Sequence, residues 1–239
     1  MNTASAPDQA TAYFWHGDAL RSRSVSALVL QGQLDVPALP ARLLADGARD
    51  IALHLDLARG DVASLSLARA RTRWPQYRQC AQAVADWLDI QGLQQVLAGS
   101  AVALMACRGT RYHHDANQYG GKAFCNLFVS EDCGMDLHFP ATGHCIPLVR
   151  GTALVFDTGQ CHAVIARGGS GNPQAVKTEA TGLDGAQLFL SWELPIEHTQ
   201  VAKALQIDLD TDPLTASRLD EQQVWIQGKR VRVCPCPKR

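Results

Sequence analysis

The sequence predicts a mainly β fold with flanking helices, and three observations carry that prediction. Between Ala101 and Leu194, short apolar segments recur between Gly, Asn, Asp and Pro residues, at the spacing of roughly 8 to 12 residues expected of a rolled or layered β core. Clear helical periodicity is confined to the flanks on either side of that stretch. The composition, 46% hydrophobic and 19% charged over 239 residues, excludes a disordered chain and suffices for a sizeable core.

In chain order, Val25–Gly32 is strand-like, and Ile51–Leu57 (Ile-Ala-Leu-His-Leu-Asp-Leu) alternates with a period of two, as a half-buried strand would. After Pro75, the residues Tyr77, Cys80, Ala81, Val84, Trp87 and Leu88 share one helical face. A second helical stretch is expected over Leu93–Leu97, closed by Gly99. The β segments follow: Ala101–Cys107, Ala123–Val129, Met135–Phe139, Cys145–Val149, Thr152–Phe156, Cys161–Ala166 and Gln187–Leu194. One gap breaks their rhythm. Arg167–Ala186 is polar and Gly-rich, and a connection that long inside a compact domain reads as a lid or other functional loop. Beyond Pro195 come a helix over Thr199–Leu205, a short helix after Pro213 and a closing hairpin over Val224–Val233. We expect one domain over residues 1–239. A mixed α/β region (1–100) supports the core (101–194), and helices and a hairpin (195–239) complete it.

Lys and Arg total 22 against 23 Asp and Glu, for a net charge of −1. That balance argues against a protein that coats nucleic acid. No apolar run approaches the ~18 residues of a membrane span, and Met1–Thr11 is polar, without the pattern of an export signal. The expectation is a cytoplasmic protein whose partner is a small molecule. The 8 cysteines are scattered without a Cys-x-x-Cys, so reduced thiols packed as small hydrophobes are expected. Cys234 and Cys236 fit a frayed tail.

The chemistry concentrates in Arg111-Tyr-His113-His114-Asp115 and in His162. In an extended chain His113 and Asp115 project to one side and His114 to the other. In a sheet rolled on itself, a histidine at the start of a later strand can join them. Two imidazoles and one carboxylate on one face of a metal leave coordination positions open, the arrangement used by non-haem Fe(II) oxygenases. His-x-Asp alone is weak. The joint pattern is more specific: His-x-Asp, 46 intervening residues, and His162 placed six residues after Phe156 at the end of Gly151-Thr-Ala-Leu-Val-Phe.

Over Arg108 to about Leu194 the sequence resembles the Fe(II)/2-oxoglutarate-dependent dioxygenases. The resemblance implies a double-stranded β-helix (a jelly-roll, cupin-like core). It also implies an iron triad of His113, Asp115 and His162, with Fe(II), 2-oxoglutarate and O2 as cofactor and co-substrates, and Phe189–Leu194 as the last core strand. The implied reaction couples decarboxylation of 2-oxoglutarate to hydroxylation of a substrate that the resemblance does not choose; more than one cation near the triad favours a small molecule such as an amino acid or another carboxylated metabolite. One departure stands out. Such enzymes anchor the distal carboxylate of 2-oxoglutarate with an Arg or Lys near the start of the last strand, where this chain reads Gly185-Ala-Gln-Leu-Phe.

Arg111, Lys177 and Arg167 are the candidate substitutes, with Arg150 behind them. Arg111 is expected on the inward side with His113, where a buried guanidinium needs an anion. Asn126, Asn117 and Tyr119 are candidates to hydrogen-bond the oxo-acid, although turn chemistry accounts for Asn117 and Tyr119 equally well. His114 is expected beside the site rather than on the metal, and Asp157 is expected to cap a turn with Thr158 and Gly159. Arg69, Arg71 and Arg73 read as an anion-binding rim or a solvated helix end. Two other classes fit the same residues: a cupin-like metalloenzyme without 2-oxoglutarate, and a metal-free jelly-roll binding protein.

Overall fold

The computed structural model describes residues 10–54, 60–168, 185–231 and 234. The chain opens with β1 (Thr11–His16), β2 (Ala19–Ser24) and β3 (Val29–Gln33), followed by α1 (Ala41–His54), β4 (Val62–Leu65), α2 (Leu67–Arg71) and α3 (Tyr77–Ile90). The predicted β core follows as β5 (Val102–Cys107), a single helical turn α4 (Ala116–Tyr119), β6 (Lys122–Phe128), β7 (Met135–Phe139), β8 (His144–Pro147), β9 (Thr152–Asp157), β10 (Ala163–Ala166) and β11 (Gln187–Pro195). The chain closes with α5 (Thr199–Leu205), α6 (Pro213–Ala216) and the hairpin β12 (Gln223–Ile226) and β13 (Lys229–Val231).

Two sheets form the core. The larger has the strand order β3-β9-β6-β11-β5-β4 and the smaller β10-β7-β8. All their neighbouring strands run antiparallel. The smaller sheet is extended by residues 110–113, because Thr110 N donates to Val164 O (2.9 Å) and His113 and His162 exchange both backbone hydrogen bonds. This is a double-stranded β-helix. A separate sheet, β13-β12-β1-β2, joins the two ends of the chain.

Period-two alternation sends successive residues of the large sheet to opposite faces. Ala123, Cys125 and Leu127 of β6, with Leu188, Leu190, Trp192 and Leu194 of β11, pack outward against Leu43 and Ile51 of α1 and Val84, Trp87 and Leu88 of α3. Phe128, Leu154, Phe156 and Phe189 face inward, against Met135, Leu137, Phe139, Ile146 and Val164 of the smaller sheet. Two glycines permit close approaches. A Cβ on Gly151 (φ +88°) would lie 2.1 Å from Leu34 O, and one on Gly32 would lie 2.5 Å from the Trp87 indole nitrogen.

Several expectations are corrected. The segment Ile51–His54 is the end of α1, not a strand, while 55–59 lie outside the described residues. Its alternation is a fragment of a longer helical pattern, in which Leu43, Gly47 and Ile51 are buried four residues apart. Leu93–Leu97 forms successive turns, interrupted by positive φ at Gly92 (+76°) and Gln95 (+61°). The amino-terminal region does more than support the core, since β3 and β4 are the two edges of the large sheet. Cys234 is 4% exposed and packs with Tyr112 and Ile165 rather than fraying, whereas Cys236 lies outside the described residues. The cysteines among the described residues are free thiols, and most are buried. Among the described residues no helix is long and apolar enough to cross a membrane.

Candidate metal centre

His113, Asp115 and His162 meet at one end of the space between the sheets. One ligand atom from each lies within 4.8 Å of the others. Asp115 Oδ1 is 3.6 Å from His113 Nε2, and its Oδ2 is 3.4 Å from His162 Nε2. The backbone bridge between His113 and His162 brings the rings to a centroid separation of 4.5 Å.

The surroundings fix each donor. The Nδ1 of His113 lies 2.7 Å from Arg111 O, and that of His162 lies 2.9 Å from Gln160 O. A carbonyl only accepts, so both protons sit on Nδ1 and both Nε2 lone pairs point at the cluster, the arrangement seen in metal-bound histidines. His162 is 5% exposed and touches the Phe156 and Phe139 rings. Burial pushes its pKa down to about 4, with Asp115 opposing and His113 adding to the shift. The imidazole is therefore neutral near neutral pH. Asp115 occupies the N-cap of α4 but makes no side-chain cap bond there. Its carboxylate is turned to the histidines instead. The donor set and its protonation fit a divalent transition metal with open coordination positions.

A buried ion pair builds the turn that aligns these ligands. Arg23 and Asp157 are both fully buried, and the guanidinium grips the carboxylate at 2.6 and 2.7 Å. Asp157 also accepts from Ser26 N and Gly159 N. The same turn presents Thr158 O to Asp115 N (2.8 Å) and the Gln160 carbonyl to His162. The expected turn-capping role of Asp157 is thus present, joined by an arginine that sequence reading missed. Its only signal was an arginine in a strand, with the partner 134 residues away.

The triad opens into a cavity of about 360 Å³, within the size range of small-molecule sites. Its walls include Met105, Phe124, Phe128, Leu137, Phe156 and Phe189, and its polar groups include Thr110, Tyr119, Asn126, Ser191 and Glu193. Among the described residues no Lys or Arg lines it. Arg111 is exposed and outside the cavity. Residues 110–113 do not alternate as a strand does: Thr110 and His113 both line the cavity, which turns Arg111 outward. Arg167 is held outside by Asp132 (2.6 Å) and Asp136 (2.8 Å). Arg150 pairs with Glu131, and Lys177 lies outside the described residues, as do residues 169–184 of the predicted lid. At the start of β11, where a cation was sought, Phe189 stacks on Phe128.

Asn126 lines the cavity, and its buried Oδ1 has no hydrogen-bond partner. Tyr119 is a lining residue, whereas Asn117 is exposed at the surface. His114 is buried but turned away, its Nε2 3.0 Å from Val231 O. Arg69 and Arg73 form ion pairs with Asp50 and Asp46 of α1, and Arg71 lies over the Tyr77 ring. That trio is a helix-to-helix brace rather than an open anion rim.

No protein-family model matches the chain, and no curated protein matches it either. Similar solved structures do exist. SnoN, a non-haem alpha-ketoglutarate-dependent epimerase from nogalamycin biosynthesis, is 17% identical over 70% of this chain and 78% of its own, with a TM-score of 0.35. The viral collagen prolyl hydroxylase of Paramecium Bursaria Chlorella virus-1 is 9% identical over 82% and 96%, at 0.38. A Pseudomonas putida prolyl-4-hydroxylase is 18% identical over 70% and 92%, at 0.34. SnoN is also known with Fe3+ and alpha-ketoglutarate, and the viral enzyme with 2OG. The fold and the triad of the present chain stand on its own strand order and side-chain geometry.

Proposed function

We propose that this protein is a non-haem Fe(II) oxygenase that uses 2-oxoglutarate to hydroxylate a small molecule. The observation that carries the reading is the convergence of two Nε2 lone pairs and one carboxylate at the end of a largely apolar cavity. His113, Asp115 and His162 would hold the ion. Bound there, Fe(II) with its oxo-acid co-substrate would supply the redox chemistry that lets dioxygen attack a C–H bond.

The chain's own residues do the rest. The carbonyls of Arg111 and Gln160 keep the imidazoles in the ligating tautomer. Phe124, Phe128, Phe156 and Phe189 exclude water from the reacting centre. Asn126, Ser191 and Thr110 offer hydrogen bonds to whatever enters. An amino acid is kept as the substrate class, although none of the cations that suggested a carboxylated metabolite lines the cavity among the described residues. No described residue is assigned to the distal carboxylate of 2-oxoglutarate. The lack of a lining cation among the described residues favours, as a second reading, a metal-dependent oxygenase or isomerase of the same fold that works without the oxo-acid.

Metal titration followed by an assay of succinate release from 2-oxoglutarate tests both. His162→Ala should abolish Fe(II) binding and His114→Ala should retain it, while the wild-type protein releases succinate only with iron present. Equal loss of iron in both variants overturns the ligand set. Iron binding without succinate release selects the second reading.

A further inference from the structure

The cavity carries one group that the metal site does not use. Glu193 lies on the inward face of β11, two residues from Ser191 and across from Phe124 of β6. It is half-buried and forms no hydrogen bond or ion pair among the described residues. Among the described residues no Lys or Arg lines the chamber. Arg23 is held by Asp157, Arg150 by Glu131 and Arg167 by Asp132 and Asp136. Lys122 is one rung further along β6 but does not line the cavity and makes no ion pair with Glu193.

A carboxylate on the wall of a largely apolar chamber attracts a counter-charge. A ligand cation would provide one. The neighbouring walls suit it, because Tyr119 and Phe124 lie edge to face at 5.1 Å beside Glu193, and aromatic rings attract cations. The second observation is independent. Asn126 is 7% exposed, with its Oδ1 unpartnered, and stands directly across from Ser191. That amide needs a hydrogen-bonding ligand, and its oxygen asks for an N–H or O–H donor.

We propose that the chamber selects a substrate bearing a protonated amine on an apolar body, with Glu193 as the group that recognises the amine and Asn126 and Ser191 as its hydrogen-bonding neighbours. This rests on reading the chamber as the substrate site. It deepens that reading by assigning the ammonium, of the two charges of an amino acid, to a residue.

The test is a calorimetric titration of the metal-free full-length chain with 3-phenylpropylamine and with 3-phenylpropanoate, which share a ring and a chain but carry opposite charges. Leaving the metal out prevents either probe from binding as a metal ligand. The amine should bind at least tenfold more tightly than the carboxylate. The near-isosteric Glu193→Gln should erase that preference, and Asp115→Asn should reduce it less. Equal or tighter binding of the carboxylate, no binding of either probe, or a preference that survives Glu193→Gln overturns the proposal. A parallel Co(II) titration, read by visible absorption, separates the two claims. Cobalt uptake without amine preference sinks the substrate class alone, and amine preference without cobalt uptake sinks the metal centre alone.

Discussion

The two faces of the large sheet are built from alternate residues of the same strands, yet they do opposite jobs. On the outer face, Ala123, Cys125, Leu127, Leu188 and Leu190 have no exposed surface and interlock with α1 and α3. On the inner face, Phe124, Asn126, Phe128, Phe189, Ser191 and Glu193 line a cavity. The outer face is largely aliphatic and closely packed. The inner face is aromatic and leaves polar groups unsatisfied. Small and branched side chains leave little space under a helix, whereas rigid rings set around a void keep it open. Unsatisfied groups such as Asn126 Oδ1 are tolerated on a wall that waits for a ligand and would be destabilising under a helix.

This contrast can be broken by mutation. The largest effect is expected where the chamber is joined to the rest of the fold. Arg23→Met leaves Asp157 charged and buried without its partner, which should cost about 3–5 kcal/mol. Arg23→Lys should recover part of that loss but not the two-pronged grip. Because the same turn positions Asp115 and His162, the metal affinity of the folded fraction should fall as well. Denaturant melts combined with metal titration measure both, and unchanged metal affinity would reduce Arg23 to a purely structural role. Next comes the outer face, where Leu127→Ala should cost about 2–5 kcal/mol through lost burial and the space left behind. The smallest effect belongs to its neighbour in sequence. Asn126→Ala, on the chamber side, should change stability by less than about 1 kcal/mol, because the amide oxygen forms no bond to lose. Similar losses at positions 126 and 127 in matched denaturant melts would contradict the division between a packed face and a ligand face.

Much of the β core was legible because strand alternation and turn residues are local signals. The segments at Ala123–Val129, Met135–Phe139 and Thr152–Phe156 each became a strand within a residue or two of the expected bounds. The helix after Pro75 was legible for the same reason, its apolar stripe spanning several turns. Ile51–His54 misled because four residues cannot separate a strand's alternation from one edge of a helix. Within the site, His113, Asp115 and His162 could be suspected from spacing. The exposure of Arg111 could not, since the irregular backbone before His113 breaks the alternation that would have turned it inward. Arg23 and Glu193 carried no motif, and their roles come from encounters across the fold.

The sequence alone pointed to the class of fold through residue type and short-range periodicity, and to three side chains able to share a metal through a His-x-Asp pattern that resembles the dioxygenases. Tertiary structure decided which cations stay outside the chamber, which buried pair holds the ligand-bearing turn, and which carboxylate faces the cavity unpaired. Those outcomes depend on contacts between residues far apart along the chain, where burial makes each charge either find a partner or remain available to one.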